Sequence, residues 1–303
     1  MKVAVTGGAG FIGSHLADAL VAEGHGVTVI DDLSGGRKAN LNPKARFVKR
    51  DVRKDLSDEF AGLDAVFHFA ADADVRASAN TPRKTFDINV GGTFSVLESC
   101  RKAGVGRIVF PSTSTVYGEA GKIPTPEDYP CAPISNYGAS KLSCEAYLSA
   151  YSASYGMKCT SLRYANIIGE RSTHGVICDF FMKLKKNPKA LEILGDGNQD
   201  KSYLHVSDCI SATLTAWKKQ KAAYDVFNIG SREKTKVSEI AALVCREMKL
   251  KPVLRYTGTP RGWAGDMKVM LLDISKMQSL GWAPKVGFRD GARSCLSWLR
   301  NGF

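Results

Sequence analysis

Two residues in one segment have the types and the spacing needed to move a proton to and from an alcohol. Tyr137 and Lys141 are four residues apart, so on a helix their side chains lie on one face and enter the same cleft. A nearby cation favours the phenolate, which brings a tyrosine with an ordinary pKa of roughly 10 closer to use as a base. Thr113 lies 24 residues before Tyr137 and can bridge it to a substrate oxygen. The pattern predicts a catalytic set, although the same Tyr-Lys spacing also arises by chance on solvent-exposed helices.

A glycine-rich segment near the start of the chain has the spacing of a dinucleotide-binding turn. Gly7, Gly10 and Gly13 follow a β-branched run and open a helical pattern. There the glycines let the backbone approach a pyrophosphate, and the helix N-terminus supplies N–H groups. Asp31, 18 residues after Gly13, ends the second strand and can bind both adenosine ribose hydroxyls while repelling a 2′-phosphate. The segment predicts NAD rather than NADP; the alternative is a turn with an unrelated surface Asp.

The elements that must position these residues alternate between strand and helix. Short apolar or β-branched runs predict strands at 2–6, 27–30, 65–69, 107–110 and 158–164. Helices are predicted after the glycine turn and over 93–103 and 136–155. This order predicts an α/β fold in which helices cover both faces of a parallel sheet. From about residue 166 the pattern becomes irregular, which predicts a second, smaller lobe.

Composition narrows the class of protein. The 303 residues, 44% of them hydrophobic and 24% charged, are those of an ordinary folded chain with a sizeable core. The formal net charge is +12, but the basic residues are spread out and lack interleaved aromatics. We therefore expect no nucleic-acid partner, and a milder use of the charge in attracting an anionic substrate. No apolar run approaches the roughly 18 residues of a membrane helix, and no secretory signal is visible, so we expect a cytoplasmic protein without a membrane partner.

Other catalytic chemistries lack their residues. The eight cysteines form no C-x-x-C pair, and the five histidines lack metal-ligand spacing, so we expect neither a metal site nor a redox dithiol. No G-x-S-x-G segment is present, which argues against a serine hydrolase.

Further segments extend the two motifs into a pattern known from one family. They read TGGAGFIG from Thr6, HFAA from His68, NVGGT from Asn89, STSTVYG from Ser112, LRYAN from Leu162, GDGNQDKSYLHV from Gly195, FNIGS from Phe227 and LGW from Leu280. In this order they resemble the extended short-chain dehydrogenases/reductases, in the NAD-dependent nucleotide-sugar epimerase/dehydratase family. The resemblance covers nearly the whole chain and is strongest to the group of UDP-glucose (UDP-galactose) 4-epimerases.

The resemblance implies an architecture and an assembly. The fold would be a Rossmann-type doubly wound parallel sheet with a smaller, mixed α/β substrate-binding lobe. The NAD-binding domain would comprise residues 1–165 and roughly 205–230, and the nucleotide-sugar lobe 166–204 and 231–303. The family commonly forms homodimers through two helices, which here correspond to about 91–103 and 136–155.

The resemblance also implies a role for individual positions. Thr113, Tyr137 and Lys141 would be catalytic and would also contact the substrate or the cofactor. The implied cofactor-binding residues are Gly7, Gly10, Phe11, Ile12, Gly13, Asp31, Asp32, Asp51, Val52, Phe69, Ala70, Asn89, Tyr137, Lys141 and Tyr164. The implied residues for a UDP-sugar are Thr113, Tyr137, Asn166, Val176, Ile177, Lys201, Tyr203, Arg261 and Asp266. Several of these, such as Phe69, Ala70 and Val52, would also suit a hydrophobic core.

Two departures from the family pattern concern the diphosphate. The family generally has Arg-Asp before an aromatic residue, where this chain has Lys201-Ser202-Tyr203, which keeps the charge but loses bidentate geometry. Arg261 is two residues farther from Asp266 than in the common R-x-G-D arrangement. Arg261 is therefore either a phosphate ligand or a solvated loop residue.

The residues after Thr113 indicate the reaction. In the family, 4,6-dehydratases follow the catalytic Thr with Asp-Glu, and decarboxylases of UDP-glucuronate keep a Glu there. This chain has Ser114 and Thr115 instead, so the acid for proton traffic at C5 is missing. The pattern favours 4-epimerisation of UDP-glucose and UDP-galactose by transient hydride transfer to bound NAD. Alternatives are a UDP-N-acetylhexosamine or UDP-uronate 4-epimerase, a nucleotide-sugar dehydratase, and a reductase or 3,5-epimerising relative, for which Cys131 and His174 are the candidate acids. A non-enzymatic NAD- or RNA-binding relative is a further alternative.

Overall fold

The computed structural model describes residues 1–263 and 265–302, and its largest feature is a seven-stranded parallel sheet. Its strands are β1 (Lys2–Thr6), β2 (Gly26–Asp31), β3 (Arg46–Lys49), β4 (Ala65–His68), β5 (Arg107–Thr113), β6 (Lys158–Tyr164) and β10 (Tyr224–Ile229). They lie in the order β3-β2-β1-β4-β5-β6-β10, so the sequence of strands runs outward from β1 in both directions. The predicted α/β class and doubly wound sheet are confirmed.

Helices cover both faces of this sheet, as a parallel sheet requires. One face packs against α1 (Phe11–Ala22) and α7 (Val206–Lys219) in a core that includes Leu16, Phe67 and Trp217. The other face packs against α2 (Ser57–Phe60), α4 (Gly92–Ala103) and α5 (Asn136–Tyr155). A short α3 (Pro82–Phe86) and a π-helix over Asp87–Gly91 lead into α4. The predicted bounds of the helix 136–155 and of the strand 158–164 agree with α5 and β6.

The region from about residue 166, where the sequence pattern becomes irregular, consists largely of short strands and helices, in agreement with the expected mixed α/β character. Its elements are β7 (Asn166–Ile168), α6 (Val176–Lys186), β8 (Ala190–Ile193), β9 (Asp200–His205), β11 (Lys234–Lys236), α8 (Val237–Glu247), β12 (Val253–Tyr256), β13 (Val269–Met270), α9 (Ser275–Ser279) and α10 (Phe288–Gly302). Strands β7, β9, β11 and β13 form one small sheet, and β8 pairs with β12. These strands have two to six residues each, too short for a clear alternating pattern.

The lobe built from these elements has its own core. It buries Phe180, Phe181 and Leu191 with Val244 and Leu296, from α6, β8, α8 and α10. None of the helices in the two described stretches is both long and apolar enough to cross a membrane. The carboxyl ends of the large sheet's strands face this lobe, and the chemistry-bearing residues gather there.

Candidate active site

Thr113 is the last residue of β5, where the strand reaches the edge of the sheet. It pairs in register with Tyr164 at the end of β6. Its hydroxyl caps a 3₁₀ turn over Ser114–Tyr117 by accepting a 3.2 Å hydrogen bond from the Thr115 N–H. The cap fixes the Thr113 side chain at the opening of the cleft.

Tyr137 lies in the first turn of α5, and this turn is held in place from two sides. Ser135 caps the helix, because its Oγ accepts a hydrogen bond from the Gly138 N–H at 3.1 Å. The Tyr137 N–H in turn donates to the Ser78 Oγ at 3.3 Å. A Cβ on Gly138 would lie 2.7 Å from the Thr115 carbonyl oxygen, so glycine allows α5 to start against the turn that Thr113 caps. The predicted pair Thr113 and Tyr137 is thus brought to one place.

Lys141 lies one turn further along α5 and is buried. Its Nζ donates a 2.9 Å hydrogen bond to the carbonyl oxygen of Pro111 on β5. The same Nζ is 5.9 Å from the centre of the Tyr137 ring and 4.5 Å from that of Phe110. Burial lowers the pKa of Lys141 to about 8, although Cys144 and Glu145 partly oppose the shift.

The pKa of Tyr137 differs from the expectation that the neighbouring cation would favour the phenolate. Burial is the largest effect and raises this pKa well above its usual value, and Cys144 and Asp72 raise it further. In the protein alone, burial therefore opposes ionisation of Tyr137. A further positive charge in the cleft would favour its phenolate.

The glycine turn between β1 and α1 has the shape of a pyrophosphate cradle. Gly7 has a φ of +69°, and a Cβ there would lie 2.5 Å from the Ala70 nitrogen. A Cβ on Gly13 would lie 2.2 Å from the Gly7 carbonyl oxygen. A Cβ on Gly10 would meet only that same oxygen, at 3.2 Å, so the space before the helix is open. No side chain caps α1, which leaves the N–H groups at Phe11 and Ile12 directed at this space.

Asp31 stands beside this cradle at the end of β2. Its carboxylate accepts hydrogen bonds from the Ala9 N–H at 3.0 Å and from the Leu33 N–H at 2.8 Å. Burial raises the pKa of Asp31, although both N–H groups oppose the rise. Asp32 is exposed, and its carboxylate accepts from Ser34. The open helix start and this fixed carboxylate fit the pyrophosphate and the adenosine ribose of NAD.

Other residues expected at the cofactor line the strand ends next to Gly7. The Phe69 N–H donates to the Thr6 carbonyl oxygen, and the Ala70 N–H lies 3.3 Å from the Thr6 Oγ1. The Tyr164 hydroxyl points away from the cleft, where it hydrogen-bonds to Thr213 on α7 at 2.7 Å. Only the ring of Tyr164, 6.5 Å from that of Phe69, is placed to meet a cofactor.

The adenine-side residues have structural partners of their own. The carboxylate of Asp51 binds the guanidinium of Arg53, which lowers the pKa of Asp51. Val52 is buried in the core under α4, where a Cβ on Gly92 would lie 3.1 Å from it. The Val52 side chain therefore packs in the core, and only the backbone of Val52 could contact an adenine.

Asn89 connects the loop after β4 to α5. Its amide oxygen accepts from the Asp72 N–H at 2.8 Å, and its amide nitrogen donates to the Asp72 carbonyl and to the Ser140 Oγ. Ser140 in turn donates to the Tyr137 carbonyl oxygen. Sequence reasoning missed Ser78 and Ser140 as supports of Tyr137, since isolated serines carry no motif.

The expected diphosphate ligands are engaged with protein carboxylates. Lys201 on β9 forms a buried ion pair with Asp266, and its Nζ lies 5.3 Å from the centre of the Trp263 ring. Arg261 instead reaches across the cleft to Glu119, with Nη2 2.7 Å from the carboxylate. The guanidinium is exposed, so Arg261 is free to exchange this partner for a substrate phosphate.

The side chains of the remaining substrate-side residues are engaged within the smaller lobe. Ile177 and Tyr203 are buried in the core of the smaller lobe, where Tyr203 packs against Phe288 at 5.4 Å between ring centres. Val176 begins α6 and packs at the edge of the same core. The Asn166 amide donates to the Ser202 carbonyl oxygen at 3.1 Å.

Other catalytic groups are not assembled here. Within residues 1–263 and 265–302, no group of three or more His, Cys, Asp and Glu side chains is arranged to hold a metal ion. Burial raises the pKa of Cys131 and lowers that of His174, so both favour their neutral forms.

The chain matches known proteins along almost its entire length. Residues 3–230 match the NAD dependent epimerase/dehydratase family. A UDP-glucose 4-epimerase of Mycolicibacterium smegmatis is 34% identical, covering 99% of both chains. A solved UDP-galactose 4-epimerase is 43% identical with a TM-score of 0.92, covering 99% of both chains. The UDP-glucose 4-epimerase of Thermus thermophilus, solved with NAD, is 34% identical with a TM-score of 0.91 over the whole of both chains. The chain therefore belongs to the NAD dependent epimerase/dehydratase family of enzymes.

Proposed function

We propose that this enzyme is a UDP-glucose 4-epimerase, which interconverts UDP-glucose and UDP-galactose. The observation that carries the proposal is the convergence of Thr113, Tyr137 and Lys141 at the strand ends beside the glycine cradle, with hydroxyls rather than carboxylates at Ser114 and Thr115. A 4-epimerase needs a single base that also acts as the acid. The related 4-epimerases described above support the assignment.

In the proposed mechanism, Tyr137 removes the proton from the sugar 4-hydroxyl and later returns it. Thr113 hydrogen-bonds to the same oxygen and relays the proton to the phenolate. NAD, when bound, would supply the acceptor and the donor of the two electrons of the cycle and would add positive charge near Tyr137. Lys141 holds the nicotinamide ribose and adds its own charge. The 4-keto sugar would rotate in the cleft between its oxidation and its reduction, so that either face of C4 can be reduced.

We place the UDP portion in the smaller lobe, with Asn166, Val176, Ile177, Lys201, Tyr203, Arg261 and Asp266 as its contacts. The proposed division follows: residues 1–165 with roughly 205–230 bind NAD, and 166–204 with 231–303 bind the nucleotide sugar. It is supported by the separate core of the lobe and by β10, which completes the large sheet. We also propose a cytoplasmic location, supported by eight free cysteines among the described residues.

The function is tested with the purified protein and UDP-galactose, without added cofactor. We expect UDP-glucose to form, and absorbance of released NAD to show cofactor retained through purification, because the cycle regenerates NAD. Bound NAD without conversion would contradict the choice of sugar and favour UDP-N-acetylhexosamines or UDP-uronates, which the same assay tests. Absence of NAD binding and of turnover, even after adding NAD, would contradict the proposed function.

We further propose a homodimer formed through α4 and α5. An aromatic cluster of Phe94, Tyr147, Tyr151 and Tyr155 lies on these helices, with Phe94 44% and Tyr155 55% exposed. Pairing two such faces would bury this cluster in a four-helix interface. The rings of Phe94 on α4 and Tyr147 on α5 also contact each other, so the exposed aromatics form one continuous patch across the two helices.

The dimer is tested by Phe94→Glu. We expect light scattering to show a dimer for the unchanged protein and monomers for the variant, because the charge would be buried in the interface. The matched control is Leu254→Glu, an exposed apolar residue on β12, 38% exposed and outside α4 and α5. A dimer that survives Phe94→Glu, or is lost in the control, would contradict this interface.

A further inference from the structure

A buried ion pair joins the catalytic helix to the central strands. Glu145 on α5 and Arg163 on β6 are both almost fully buried, and their closest atoms are 2.6 Å apart. The contact is bidentate, because Arg163 Nε donates to one carboxylate oxygen at 3.0 Å and Nη2 donates to the other. Glu145 lies one helical turn after Lys141 and two turns after Tyr137.

The pair contacts the strand that carries Thr113. Arg163 faces Ser112 in the parallel register of β5 and β6, and the Ser112 hydroxyl donates to the Glu145 carboxylate. Ser112 directly precedes Thr113, and Pro111, the residue before Ser112, accepts the hydrogen bond from Lys141. Three consecutive residues of β5 therefore carry Lys141, the ion pair and the Thr113 hydroxyl.

The network continues to β10, the neighbouring edge strand of the large sheet, where Asn228 faces Arg163 in register. The Nη1 of Arg163 donates to the Tyr117 hydroxyl at 2.8 Å and to the Glu127 carbonyl oxygen at 3.0 Å. The Tyr117 hydroxyl donates to the Asn228 amide oxygen on β10 at 2.8 Å. Each polar atom in this chain of contacts has a partner, so the network has one well-defined arrangement.

We propose that Glu145 and Arg163 are positioning residues for the reaction, whose buried pair registers α5 against β5 and keeps the charge beneath Lys141 balanced. This deepens the proposed epimerase function and rests on it. Burying two charges costs as much as their attraction returns, and apolar replacements of such pairs are often as stable. Stability alone therefore gives little reason for an ion pair here, whereas the alignment of Thr113, Tyr137 and Lys141 gives one.

The charge balance acts on the proton of Lys141. Loss of the Glu145 charge removes a group that raises the pKa of Lys141 and leaves Arg163 as an uncompensated cation, so both changes lower that pKa. Loss of Arg163 leaves the Glu145 carboxylate without its opposing charge, which raises the pKa of Lys141. The titratable groups that act on or contact Lys141 are His68 on β4 and Tyr137, Cys144 and Glu145 on α5. Two further charged groups act through these: Arg163 on β6 pairs with Glu145, and Asp72 in the loop after β4 acts on Tyr137. His68 stays neutral, since burial lowers its pKa to about 3.

The test compares Glu145→Gln with Arg163→Met in the NAD-loaded enzyme. Activity should fall as pH rises through the pKa of Lys141, because the reaction uses its cation. We expect the alkaline limb of the kcat/KM profile to move to lower pH in Glu145→Gln and to higher pH in Arg163→Met, by roughly half a unit or more each. Glu145→Asp and Arg163→Lys keep the charges, so they should lower kcat while leaving the limb in place. If the pair were merely structural, all four variants would have a lower melting temperature, and the alkaline limb would stay in place in each of them.

A second readout needs no substrate. The pKa of Lys141 is lower in the folded protein than in the unfolded chain, so the unfolded chain binds more protons between the two values. Stability relative to a Lys141→Met reference should therefore rise as pH increases above about 8. The onset should move to lower pH with Glu145→Gln and to higher pH with Arg163→Met.

The outcomes separate the two proposals. If the onsets move in these opposite directions but no UDP-sugar is converted, the proposed function fails and the positioning role stands. If both onsets move in the same direction, or neither moves, the positioning role is wrong. The control is Asp225→Asn, which breaks the Lys276 pair on β10 and should leave the onset unchanged.

Discussion

Replacing Tyr137 with phenylalanine should lower kcat for UDP-galactose by about 10²–10⁴-fold, the range expected when a general acid-base group is lost. The change removes one oxygen from a partly buried ring at the start of α5. Ser135, Ser78 and Ser140 hold that helix turn through backbone contacts, so the fold and the position of Lys141 should persist. Thr113 alone cannot replace the phenol, because its hydroxyl is a far weaker acid and already caps the turn after β5.

The measurement is initial rate against substrate concentration, with NAD content determined on the same sample. KM and bound NAD should change little, since the lost hydroxyl acts on the reacting oxygen rather than in ground-state binding. Tyr256→Phe is the matched control, because it removes the same atom from an exposed tyrosine on β12 and should keep full activity. Near-normal turnover by Tyr137→Phe would assign the base to another group and contradict the mechanism.

Local sequence signals predicted the part of the fold that positions the catalytic set. The strand runs of β1, β2, β4 and β6 and the full extent of α5 follow from periodicities within single segments. The start of α5, with Tyr137, lies against the turn that Thr113 caps because a glycine, Gly138, allows its backbone to approach Thr115. That convergence was expected from motif order, but the contact that produces it is a close backbone approach that no spacing rule states.

Contacts between distant segments could not be predicted in the same way. Arg261 pairs with Glu119 across 142 residues of sequence, and Lys201 pairs with Asp266 across 65. Charge type suggested phosphate ligands at these positions, yet a carboxylate competes for the same cations in the folded chain. The pair of Glu145 and Arg163 was missed for a related reason: each residue alone reads as an ordinary charged position, and only the register of α5 on β6 brings them together.

The pKa of Tyr137 shows why composition of a site does not determine its chemistry. Sequence spacing placed a cation four residues away, and the structure keeps that cation near the ring. Burial nevertheless dominates, raising the pKa of Tyr137 and lowering that of Lys141 to about 8. Burial thus favours the neutral phenol of Tyr137 and makes Lys141 easier to deprotonate. In the proposed mechanism this links catalysis to cofactor binding, because oxidised NAD would bring a further positive charge to the cleft.

Because the proposed base depends on bound NAD, the glycine turn between β1 and α1 matters as much for activity as Tyr137. Gly13→Ala should abolish retention of NAD through purification. The added Cβ would lie 2.2 Å from the Gly7 carbonyl oxygen and 2.9 Å from its carbon, both backbone atoms that cannot turn aside. The turn must then open, which moves the N–H groups at the start of α1 away from the pyrophosphate. We expect the free energy of unfolding to fall by about 1–3 kcal/mol, as in other overpacked sites.

Gly13→Ala has two expected effects, loss of NAD binding and loss of stability. Three measurements on the purified variant distinguish them: the NAD it releases, its melting temperature and its rate with added NAD. We expect no bound NAD, a lower melting temperature and little turnover even with excess cofactor. Gly106→Ala is the matched control, since nothing lies within 4 Å of its added methyl and φ there is not positive; it should behave as the unchanged protein. Full NAD content in Gly13→Ala would show that the turn tolerates a Cβ, and the cradle would have to be sought elsewhere. Loss of NAD with an unchanged melting temperature would instead place the strain entirely in the cofactor-facing backbone, because the core under α1 would then be intact.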